Sequence, residues 1–109
     1  MSDFDETTMP KGHHVEPRTS GGLKVRLKPG QWTPPTYYPN GYSVTYQIGV
    51  GTVTVKERHY DPRTHKLLKE VDREIPDPDA GSNTITRPPG TYISIQNTTS
   101  QEFDADKDY

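Results

Sequence analysis

Cysteine is absent from the 109 residues. Disulfide staples, thiolate metal sites and cysteine nucleophiles are excluded with it. Apolar side chains are scarce, at 28% of the chain, against the ~45–50% share of ordinary domains, a benchmark that counts Gly and not Tyr. No apolar run approaches the ~20 residues of a membrane helix. The start, Met1-Ser2-Asp3-Phe4-Asp5-Glu6, lacks the basic head and apolar stretch of a secretory signal. These absences predict a soluble protein made in the cytoplasm. Net charge is −2, so the electrostatic drive of a nucleic-acid binder is missing. No Gly-x-Ser-x-Gly elbow and no Gly-x-x-x-x-Gly-Lys phosphate cradle occurs, and the paired acids (Asp77, Asp79; Asp104, Asp106, Asp108) fall in loops and ends. The expectation is a non-enzyme without cofactor, with nucleic acid disfavoured as a partner.

What is present alternates. Leu23, Val25 and Leu27 interleave with Lys24, Arg26 and Lys28 before Pro29-Gly30. That is a half-buried strand ended by a turn. Tyr42, Val44, Tyr46 and Ile48 repeat the pattern, Gly49-Val50-Gly51 interrupts it, and 52–60 resumes it with β-branched residues. A link this short predicts that the two strands are antiparallel neighbours. Leu67, Leu68, Val71 and Ile75 fit a helix, and 67, 71 and 75 also fit one face of a strand. Asp61-Pro62-Arg63-Thr64-His65 decides for strand, because it reads as a type I turn closed by a left-handed residue at His65. Short strands follow at 84–86 and 91–97, with Phe103 in a last one. The expected fold is mostly β: a small antiparallel sandwich or barrel of about 6–7 strands with a projecting hairpin at about 52–75. Residues 1–22 read as a flexible arm, 23–103 as one β domain and 104–109 as an acidic tail.

Candidate site residues are few. Trp32, Tyr37, Tyr38 and Tyr42 gather among Pro34, Pro35 and Pro39. They form either a recognition surface, since Tyr and Trp give contact area at low entropy cost, or a cap over the core. His59, Asp61 and His65 share one turn. They carry zinc-compatible atoms at a spacing that fits no ligand motif, so the turn reads as an exposed tip that touches a partner. His13-His14 and the Asp77–Gly81 loop are weaker metal candidates still. The basic row Lys24, Arg26, Lys28 reads as a solvated face that protects an edge. Asn97-Thr98-Thr99 matches a glycosylation sequon that has no meaning without export.

Small size, thin core, two free ends and a long hairpin suit a chain stabilised by assembly. In overall character the chain resembles small virion proteins of tailed bacteriophages, such as capsid decoration, head–tail connector or tail accessory subunits. That resemblance implies protein partners, copies of the chain itself or a larger particle, and incorporation into a virion. A carbohydrate- or protein-binding module built on Trp32, Tyr37 and Tyr38 is an alternative, and a small inhibitor of a host enzyme is another.

Overall fold

Period-two alternation sets seven strands in the computed structural model, which describes residues 21–49, 51–76 and 81–109. They are β1 (Gly22–Leu27), β2 (Tyr42–Gln47), β3 (Val53–Tyr60), β4 (Leu67–Ile75), β5 (Thr84–Arg87), β6 (Tyr92–Asn97) and β7 (Phe103–Asp108). Two antiparallel sheets result, ordered β1-β7-β2-β5 and β4-β3-β6. The expected small β-sandwich is what forms. Among the described residues no helix is long and apolar enough to cross a membrane.

Each sheet turns alternate residues inward. Leu27, Phe103, Ala105, Val44, Tyr46 and Ile85 come from the first sheet; Val53, Val55, Ile75, Ile93 and Ile95 come from the second. Facing sheets bury such rows against each other, which is how a chain poor in hydrophobes still closes a core. Tyr supplies much of the volume: Tyr38, Tyr42 and Tyr46 all lie in the main cluster.

Three expectations need correction. Residues 104–109 are no tail. Asp104–Asp108 complete β7, which pairs with β1 on one side and β2 on the other. Phe103, Ala105 and Lys107 are buried, while Asp104 and Asp106 meet Arg26 and Gln47 of the flanking strands. The acidic row is therefore one face of a strand, and the basic row of β1 is its neighbour.

β2 and β3 are not neighbours either. Both have apolar inner faces, and their connection passes from one sheet to the other, so β2 takes β7 and β5 as partners and β3 takes β4 and β6. Leu67, expected inward with Val71 and Ile75, lies on the opposite face. A register shift at His59/Tyr60 sets Tyr60 opposite Leu67. Leu67 then packs with Tyr60, Tyr92 and Tyr37 in a second, outer cluster. An extra residue in one strand turns all that follow it to the other face.

The turn joining β3 to β4 follows the sequence closely. His65 has φ 62°, its N–H donates to Asp61 O at 2.8 Å, and Asp61 Oδ1 accepts from the N–H groups of Arg63 and Thr64. Segment 31–36 lies along β6 as an irregular edge. Thr33 N–H donates to Ile95 O, Thr36 exchanges two hydrogen bonds with Ile93, and Asn97 N–H donates to Gln31 O. Proline is tolerated there because an edge leaves one side of the chain unpaired. The expected arm over 1–22 falls outside the described residues up to Ser20; Gly22 already belongs to β1.

Candidate functional site

The inward positions of β3 change character along the strand. Val53 and Val55 are apolar; Glu57 and His59 are not, yet both are buried, at 1% and 3% exposure. Arg73 Nε of β4 donates to Glu57 Oε2 at 2.8 Å. Arg87 of β5, on the opposite sheet, places Nη2 3.1 Å from Glu57 Oε1. His59 Nε2 lies 3.1 Å from the same oxygen and 3.1 Å from Arg87 Nη2. A guanidinium can only donate, so Nε2 cannot serve both neighbours as one kind of partner. The consistent assignment gives Nε2 a proton that points at Glu57, with Arg87 donating to the carboxylate directly. Nδ1 then meets the Thr91 hydroxyl at 3.2 Å.

Burial by itself would raise the Glu57 pKa. The His59 hydrogen bond and the Arg87 and Arg73 charges outweigh it and hold the carboxyl below its ordinary value. Burial foremost, then the Glu57 charge, pushes Tyr42 and Tyr46 upward, so both stay protonated phenols. Their hydroxyls and Arg87 Nε are buried with no hydrogen-bond partner among the described residues. Two guanidiniums on one carboxylate repel a further cation, so this cluster does not suit a metal ion. Among the described residues no group of three His, Asp or Glu side chains is arranged to hold one.

The residues singled out in the sequence fall in separate places. His59 points into the sandwich, the Asp61 carboxylate caps its own turn, and the His65 ring stands edge-on to Tyr92 at 5.7 Å on the outer face. They do not converge on one point. His13, His14, Asp77 and Asp79 lie outside the described residues. Of the aromatics, Tyr38 and Tyr42 are core. Tyr38 packs on Tyr42 at 4.3 Å and stacks on Tyr109 at 4.6 Å. Tyr37 leans on Tyr92 at 5.6 Å. The Arg58 guanidinium lies over the Trp32 ring, 4.7 Å from its centroid, and Arg58 Nε donates to Glu70 at 2.6 Å. The proline-rich segment thus covers both the core and the outer face of the three-stranded sheet. Asn97 of the sequon is fully buried, with its amide donating to Leu27 O and Gln101 O.

Glu57, Arg73 and Arg87 were missed in the sequence. The one available signal was that Val53-x-Val55-x-Glu57-x-His59 keeps its period through the charged positions.

No family model and no curated protein matches the chain. Solved structures do. Drosophila melanogaster CENP-C bound to CAL1 superposes with a TM-score of 0.53 at 18% identity, over 79% of this chain and 62% of that one. The Drosophila melanogaster CENP-C cupin domain gives 0.53 at 18%, over 79% and 57%. A cupin domain from Bordetella pertussis Tohama I gives 0.49 at 17%, over 79% and 75%. The likeness to the CENP-C chains is one of fold alone, a small β-sandwich. The chain spans about three fifths of the length of the CENP-C chains it matches.

Proposed function

We propose that this chain is a non-enzymatic interaction module, a structural subunit that docks protein partners. Glu57 carries the reading. Both its oxygens are engaged, by Arg73 on one side and by Arg87 and His59 on the other, in the one interior place where the described residues gather ionisable side chains. Fixed ion pairs there tie sheet to sheet, and a base or nucleophile needs an open approach to a reacting atom. The aromatics of 32–42 also pack largely within the fold, which favours their role as a cap over a carbohydrate platform. CENP-C supports the reading as a protein of similar architecture found in a complex with CAL1. A tailed-phage virion remains the particular assembly suggested by overall sequence character, and the structural neighbours have no bearing on it.

Light scattering on the purified chain and affinity capture from its source test the proposal together. Self-assembly, particle association or one stoichiometric protein partner is expected. A strict monomer at high concentration that retains no protein stoichiometrically overturns it.

A further inference from the structure

Building on the interaction reading, we infer that β4 is the docking edge and that its partner is an extended, basic peptide segment added as a further strand. β4 is the longest strand and lies at the edge of its sheet, with β3 on one side and no described residue paired on the other. Such an edge offers a row of backbone donors and acceptors to any strand that fits. The covering segment 31–36 protects the far edge, at β6, and leaves this one open.

Side chains define what fits. Glu70, Asp72 and Glu74 share the outward face, opposite Arg58, Lys56 and Thr54. Glu70 is engaged by Arg58 and Lys56. Asp72 and Glu74 are exposed and line a groove with Lys56, Thr54 and Thr98. Leu68, 56% exposed, adds an apolar contact near the strand's start. An incoming strand with Lys or Arg at alternate positions sets each cation against this acidic row, where opposite charges in cross-strand positions stabilise the pair.

A second copy of β4 does not fit. Antiparallel self-pairing about a two-fold axis has a few possible centres. Centred on Val71, it sets Glu70 against Asp72 and Lys69 against Arg73. Centred on Glu70, it sets that residue against itself. Centred on Asp72, it sets Asp72 against itself and Glu70 against Glu74. Every register centred from Lys69 to Glu74 places like charges directly opposite, which destabilises the ladder, and a register centred on Leu68 avoids this only by pairing the first few residues of β4. Self-pairing along the length of β4 is disfavoured, and the acidic row favours a basic strand.

The probe is a synthetic peptide of alternating lysine and valine, titrated into the full chain and followed by backbone amide shifts. Saturable binding is expected, with shifts concentrated in 67–75 and affinity reduced about tenfold in the Asp72→Lys/Glu74→Lys variant. Both positions are exposed, and circular dichroism checks that the variant is folded. A peptide N-methylated at successive residues, so that both of its edges lose their N–H donors, tests the backbone pairing without altering the protein, and it is expected not to bind. No binding overturns the inference. So does equal binding by a peptide whose lysines are grouped in one block, or a response mapped away from β4. If a stoichiometric natural partner is retained equally by wild type and Asp72→Lys/Glu74→Lys, the β4 site fails while the interaction role stands. If neither partner nor assembly exists, the role itself fails.

Discussion

Glu57 is an acid on the inner face of a sandwich, where a lone carboxylate would be prohibitively costly. Its environment offsets that cost with Arg73, Arg87 and His59. Replacing it by Gln keeps the shape and removes the charge, leaving two largely buried guanidiniums without a counter-ion. Glu57→Gln should therefore lower unfolding free energy by about 3 kcal/mol, in line with removing one partner of a buried pair; urea titration reads the loss. Tyr46 is the contrasting case. Its hydroxyl is buried and unpartnered among the described residues, so Tyr46→Phe should be neutral within about 0.5 kcal/mol or slightly stabilising, since no hydrogen bond is lost. A loss above about 1 kcal/mol would mean that an internal water or small polar molecule is bonded there. Neither role was visible in the sequence. Arg87 is distant from Glu57 along the chain, and only the packing of β5 over β3 brings them together.

Gly41 and β7 show at the scale of elements what local pattern can and cannot specify. Asn40-Gly41 reads as a turn, and the turn is there, with Gly41 at φ +77°. A Cβ at that position would stand 2.5 Å from Arg87 O. Gly41→Ala therefore meets backbone as well as an unfavourable φ, and about 2–3 kcal/mol of destabilisation is expected in thermal melts. The turn at His65 was likewise legible, because local chemistry sets it. β7 was not. Phe103-Asp104-Ala105-Asp106-Lys107-Asp108 has the right period, but three aspartates at a chain end look like a solvated tail. Their stability as a strand comes from non-local partners: Arg26 beside Asp104, Gln47 beside Asp106, and a buried inward Lys107 whose Nζ lies 6.0 Å from the Tyr42 ring centroid. Deleting 103–109 would separate β1 from β2 and strip Phe103 and Ala105 from the core between the sheets. A truncated chain should lose its dispersed amide spectrum and become aggregation-prone; a native-like spectrum would return the segment to the status of a tail.

At the scale of the whole molecule, the link between the sheets is partly ionic, and acid should reveal it. The folded pKa of Glu57 lies below its ordinary value of 4.5. A carboxylate shifted in that direction stabilises the fold fully above the unfolded pKa. The contribution disappears as pH falls through the folded pKa, so the affected window lies below about pH 4.5. Glu70, Asp61 and Asp104 are also held low, the first and last by arginine hydrogen bonds and Asp61 by turn N–H groups. Those three sit at the surface, where salt screens arginine partners. Glu57 joins Arg87 across the interior, so its share should persist at high ionic strength. Comparing wild type with Glu57→Gln by urea melts in high salt isolates it. The stability gap between them should be widest near neutral pH and should shrink toward about pH 3, because protonation does to the wild type what the substitution has already done. A gap that stays constant across that range would mean the Glu57 charge does not hold the two sheets together.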